Sequence, residues 1–215
     1  MSRSVSIMQL PKNVRIKVTN NGGDDDYRDG GVRYIKSVEF DIVEETRVIG
    51  AGRLFRINAD LAYDNDESIH LICDYMQNTM DCADALYDYD TEGFSEKVDQ
   101  LFDHIPRTSN VLLIDRMEIE QAHRGRMIGL IVMLKLIRRY GKGCSLVAIK
   151  PFPLQYDGKV AGQEEALERD REKLVRYYSR LGFQRIRGAD FYAISLANEL
   201  PTEQGLLRGQ KAKVS

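Results

Sequence analysis

Apolar and basic side chains alternate over residues 14–18, which predicts a short strand. Two longer β-rich runs, 32–43 and 48–57, flank Glu44-Glu45-Thr46-Arg47 and predict a hairpin with long arms. The Asn-, Gly- and Asp-rich stretch 20–26 before them reads as a turn or mobile loop. Beyond residue 57 the period changes. Ile69, Ile72, Cys73 and Met76 recur at helical spacing within 68–80, and Phe94, Val98, Leu101 and Phe102 do so again before Pro106. Val111-Leu112-Leu113-Ile114 is apolar on both sides, marking 110–119 as a central strand covered on both faces. A polar turn then leads into a helix ending near Tyr140, before Gly141 and Gly143. A buried strand at 145–149 stops at Pro151 and Pro153, and 155–162 reads as an exposed loop. A second long helix covers 164–181, closed by Gly182, and short strands at 183–186 and 191–196 turn at Gly188 to complete the sheet.

These elements predict a single α/β domain over residues 1–200, with a mixed sheet and helices on both faces. Residues 201–215, polar and Gly-containing, read as a frayed tail. The 43% hydrophobic and 30% charged content suits a soluble protein. Residues 1–14 lack the apolar run of a signal peptide, and the longest apolar stretch, 127–136, is too short for a membrane span and carries Lys135. A cytoplasmic protein with no membrane partner is the expectation. Cys73, Cys82 and Cys144 are scattered, and His70, His104 and His123 do not join them, so no metal site is expected.

Charge is distributed unevenly. From Ile57 through Glu96 there are eleven of the 33 acidic residues and none of the 31 lysines and arginines. A nucleic-acid binder calls for the opposite bias, with aromatics among basic residues, so that class is set aside. The acidic helical segment, about 60–106, is either a solvated face or an electrostatic funnel for a cationic partner. Within it, Asp88-Tyr89-Asp90-Thr91-Glu92-Gly93 with Asp99 approaches a calcium-loop pattern, but Glu92 and Asp99 are off-pattern and no calcium site is expected.

The candidate chemistry sits after the central strand. Arg124-Gly125-Arg126-Met127-Ile128-Gly129 opens a helix, where unpaired N–H groups and the helix dipole attract phosphate. Gly125 and Gly129 allow close approach, while Arg124 and Arg126 can add charged hydrogen bonds. A tight turn carrying two surface arginines accounts for the same residues. Farther on, Leu167, Leu174, Tyr178 and Leu181 share one face of the later helix; Tyr178 therefore points to the core or a cleft, and Tyr177 lies peripheral.

These two segments together resemble the GNAT N-acetyltransferase superfamily. Its Q/R-x-x-G-x-G/A signature falls on Ala122-His123-Arg124-Gly125-Arg126-Met127, with a further glycine at Gly129, and its helix ending resembles Tyr177-Tyr178-Ser179-Arg180-Leu181-Gly182-Phe183. The resemblance covers residues 110–196. It departs from the family at Ala122, at Met127, at Lys150-Pro151, where many relatives carry an Asn that touches the cofactor, and in placing helices after the hairpin rather than after the first strand.

The resemblance implies a splayed sheet and acetyl-CoA as cofactor, held by Met117, Ile119, Arg124, Gly125, Arg126, Met127, Ile128 and Gly129. It implies an oxyanion contact from the backbone of Met117 to Ile119, Tyr178 as general acid, and an amine acceptor, small-molecule or peptide. Glu118 and Glu120 share a strand face and are candidates to relay the amine's proton, Glu118 the stronger; His123 reads as a turn residue. The acceptor is expected to be cationic, and a homodimer is one assembly the resemblance admits. The alternative is a non-catalytic acyl-CoA-binding module of the same fold, for which Met127 and the unplaced base speak; a third is a structural protein with no nucleotide ligand.

Overall fold

A computed structural model describes residues 13–21, 33–74, 76–158 and 161–211. Residues 22–26 of the turn expected at 20–26, and the strand start at Val32, fall outside them; Asn20 itself ends β1. Strands β1 (Val14–Asn20), β2 (Ile35–Glu44), β3 (Arg47–Ile57), β4 (Val111–Ile119), β5 (Leu146–Ile149), β6 (Gln184–Arg185) and β7 (Tyr192–Ser195) form one sheet. Its order is β1-β2-β3-β4-β5-β7-β6, and every neighbouring pair is antiparallel except β4 and β5. The mixed α/β sheet expected from the alternation is present.

Helices cover both faces. On one, α5 (Ile128–Tyr140) packs in a core with Phe40, Leu54, Leu112 and Ile114, joined by side chains of α6 (Glu164–Tyr178) and α7 (Glu203–Lys211). On the other, α1 (Ala59–Tyr63), α2 (Ile69–Cys73) and α3 (Gln77–Leu86) bury Phe55, Ile57, Val111 and Leu113, with Val98 of α4 (Glu96–Asp99) among them. The two apolar faces read from Val111–Ile114 thus serve two separate cores. All three cysteines are buried free thiols, and burial pushes Cys73 up to about 12 and Cys144 to about 11, which keeps them unreactive.

Three expectations need correction. The helix expected over 68–80 is two helices, because the Thr79 hydroxyl bonds the Cys73 and Met76 carbonyls and opens a new start at Gln77. The helix expected around 94–102 is a single turn, Glu96–Asp99. The tail is not frayed at its start: α7 runs from Glu203, with Leu206 buried, its carbonyl bonded by Arg180 and the Pro201 carbonyl by Arg138.

One irregularity positions the site. The β3–β4 register pairs Arg53 with Arg116 but Leu54 with Ile114, leaving Asp115 as an extra residue. Side chains alternate with period two, so a single inserted residue inverts the phase of the rest of the strand. Leu112 and Ile114 face α5 before the bulge; Met117 and Ile119 face it afterwards, and Glu118 is turned to the opposite face. The Asp115 carboxylate is almost fully buried and is held by Arg53 Nε at 2.8 Å and Asn78 Nδ2 at 2.5 Å.

Candidate active site

The parallel pairing of β4 and β5 is short. Residues Val111 to Ile114 meet Leu146 to Ile149, and β5 then ends at Lys150-Pro151 while β4 continues to Ile119. Glu120 N donates to the Ile49 carbonyl on the β3 side at 2.9 Å. Strand alternation turns the Glu118 N–H the same way and points those of Ile119 and Met117 toward the open side. Neither has a backbone partner there among the described residues.

A cavity of about 590 Å³ fills this opening between β4, α5 and α6. Nine of the sequence-predicted residues line it: Met117, Glu118, Ile119, Arg124, Gly125, Met127, Ile128, Gly129 and Tyr178. Arg126 does not. It turns to the end of β2, where both guanidinium nitrogens bond the Glu44 carboxylate, and His123 Nδ1 lies 3.0 Å from the same group. The Arg126 hydrogen bonds hold the Glu44 carboxyl below the usual carboxylate range. Arg126 is therefore a loop brace, which its position in the motif did not reveal.

The helix start is built unusually. Met127 is the N-cap residue, with φ +63°, a left-handed conformation that favours glycine. Its side chain is buried against Arg180, whose Nη1 lies 2.9 Å from the thioether sulfur. Ile131 N begins the helical ladder on Met127 O, and the Ile128 and Gly129 amides precede it without partners among the described residues. Gly125, at φ +78°, has nothing within 4 Å of where a Cβ would lie. Arg124 is half exposed and anchored through Nε on the Ile119 carbonyl at 2.8 Å.

Both tyrosines at the end of α6 line the cavity. Tyr177 is not peripheral: its hydroxyl accepts the Leu130 N–H at 3.0 Å and sits 2.7 Å from the position of a Cβ on Gly129. The open side of Gly129 is thus occupied by a phenol. Tyr178 packs edge-on against Phe183 and Tyr177, and its hydroxyl has no hydrogen-bond partner among the described residues. Burial, reinforced by Tyr177, raises the Tyr178 pKa well above that of an ordinary phenol.

On the opposite face lies a trough of about 610 Å³, which the sequence did not indicate. Its floor is Gly50-Ala51-Gly52 of β3, and Glu39, Asp41, Glu118 and Glu120 stand around it. Asp41, Ala51 and Glu118 are in register on three adjacent strands, so two carboxylates flank one small side chain. Arg53 and Arg116 also line the trough, but they pair with Asp115 and Asp157. Glu118, with its side chain 53% exposed, belongs to both cavities. Three carboxylates of the acidic segment are engaged within the protein: Asp81 pairs with Lys150, Tyr89 donates to Asp84, and Asp88 caps its own turn at Asp90 and Thr91.

No family model and no curated protein matches the chain. Among solved structures it is similar to a tyrosine-to-phenylalanine mutant of KacT, at 10% identity over 86% of this chain and 96% of that one, with a TM-score of 0.42. AtaTR bound with AcCoA gives 9% identity over 86% and 94%, with a TM-score of 0.41. An apo-form mutant of agmatine N-acetyltransferase gives 12% over 86% and 100%, also at 0.41.

Proposed function

We propose that the chain is an acetyl-CoA-dependent N-acetyltransferase acting on a cationic amine by direct transfer. The observation that carries this reading is the shared wall. The opened edge of β4 separates a cleft with unpaired helix-start amides and a phenol from a trough with carboxylates. The residues of the cleft fit the donor: the Ile128 and Gly129 amides and the Arg124 guanidinium suit its phosphates, and Gly125 leaves space beside them. Bound there, acetyl-CoA would supply an activated acyl carbon and a thiolate leaving group.

The chain's own groups do the rest. Asp41 and Glu118 attract the ammonium form of the acceptor into the trough. Glu118 accepts a proton from it, directly or through water, which frees the nitrogen lone pair for attack. One of the Met117 and Ile119 N–H groups, which stand two residues apart along the strand, donates to the carbonyl oxygen as charge gathers on it. Tyr178 holds its proton at the phenol oxygen for the departing sulfur. A C–N bond would form and the C–S bond break; of the two protons the ammonium nitrogen gives up, one goes to Glu118 and on to solvent, and the other replaces the proton that Tyr178 delivers to sulfur.

The runner-up, a binding module without turnover, draws support from one observation. Two donors at the helix start, Arg126 and the Leu130 amide, are already satisfied within the protein. Thiol release from acetyl-CoA, measured with polyamines, aminoglycosides, amino acids and peptide amines, separates the readings. Release that depends on an amine supports transfer. Calorimetric binding of coenzyme A without release under any amine identifies the module, and absence of binding removes both.

A further inference from the structure

Six large hydrophobic side chains are exposed among the described residues, and four of them, Leu61 (39%), Tyr63 (73%), Leu71 (67%) and Tyr89 (60%), lie between residues 57 and 96. That span has no lysine or arginine. Asp64, Asp66, Glu67, Asp74 and Asp90 are exposed in the same span, and none has an ion pair among the described residues. Exposed apolar area and concentrated like charge each cost stability, and here they coincide.

The surface is held firmly. Glu92 caps α2 through the Ser68 hydroxyl and the Ile69 amide, both at 2.7 Å. The Tyr89 ring stacks on buried His70 at 3.5 Å between centroids and ties its hydroxyl to Asp84. The Tyr89 ring is therefore presented with little conformational freedom left to lose on binding.

We infer that the outer face of α1, α2 and the turn carrying Tyr89 docks a basic amphipathic segment of another polypeptide, whose apolar side chains cover Tyr63, Leu71 and Tyr89 while its lysines and arginines meet the carboxylates. Charge selects this occupant. A second copy docked face to face would set one acidic face against another, and nucleic acid or an anionic lipid surface would be repelled. A polyamine would satisfy the carboxylates but leave the apolar side chains in water. The inference does not depend on acetyl transfer, since the face lies outside both cavities.

Fluorescence anisotropy tests it with three labelled 18-residue probes: a Lys/Leu amphipathic helix, a Lys/Ser peptide of equal charge and a Glu/Leu helix. The Lys/Leu probe should bind at least tenfold more tightly than Lys/Ser, Glu/Leu should not bind, and raising salt should weaken the complex. Tyr63→Ser with Leu71→Ser should lower Lys/Leu affinity at least tenfold at unchanged melting temperature. Asp64→Asn with Asp66→Asn and Glu67→Gln should flatten the salt dependence. Equal affinity for the two lysine probes, no binding of Lys/Leu, or unchanged affinity in the patch variants would overturn the inference. So would light scattering that shows a dimer dissociated by Tyr63→Ser with Leu71→Ser, for the occupant would then be a second copy.

Discussion

Tyr177 and Tyr178 are neighbours in sequence with opposite commitments. The Tyr178 hydroxyl has no partner within the described protein, so removing it should not cost folding energy; it should cost chemistry. Tyr178→Phe is expected to lower kcat by roughly 10²–10⁴-fold with Kd for acetyl-CoA and melting temperature nearly unchanged. Because burial raises its pKa, kcat/KM should show no alkaline fall from this group up to about pH 10, the ordinary phenol value; an alkaline fall below that, absent in the mutant, would contradict the assignment. Tyr177, by contrast, fills the notch beside Gly129. A methyl there meets its hydroxyl at 2.7 Å and Ile119 Cδ1 at 3.3 Å, so Gly129→Ala should destabilise by about 1–3 kcal/mol. Tyr177→Phe removes the obstacle, and the double mutant should recover part of that loss in urea unfolding. Strict additivity would mean the notch is not shared.

At the scale of elements, the loop before α5 is braced by Glu44 reaching from the end of β2 to Arg126 and His123. The Glu44 pKa is lowered in the folded chain, so its contribution is present above the ordinary carboxylate pKa and lost as pH falls through the lowered value. The melting temperature of Glu44→Gln should lie below wild type at pH 7, and the gap should close below about pH 4. If it stays open in acid, the brace works through packing. Much of this framework was legible in the sequence: Val111–Ile114 announced a strand buried on both faces, and Gly125 and Gly129 announced a helix start. Partner choice was not. Arg126 sits within the motif and bonds a residue 82 positions away, while the Asp115 bulge depends on Arg53 and Asn78, which no local period connects to it. The helical wheel placed Tyr178 inward, but its hundred-degree step could not show that the longer reach of Tyr177 ends on another helix.

For the whole molecule, the two cavities on opposite faces should respond separately. Glu39→Gln with Asp41→Asn is expected to raise KM for a cationic amine, most at low salt, while Kd for acetyl-CoA stays constant. Equal KM at low ionic strength would move the acceptor out of the trough. The parting of β4 from β5 has a consequence that can be read without substrate. Along β4 the Glu118 and Glu120 amides belong to the ladder with β3, whereas those of Met117 and Ile119 face the gap. Deuterium uptake should therefore alternate residue by residue along a single strand, slow at 118 and 120 and fast at 117 and 119. An acyl group seated in the gap would slow the fast pair and leave the slow pair as it was, making two amides the reporters of occupancy.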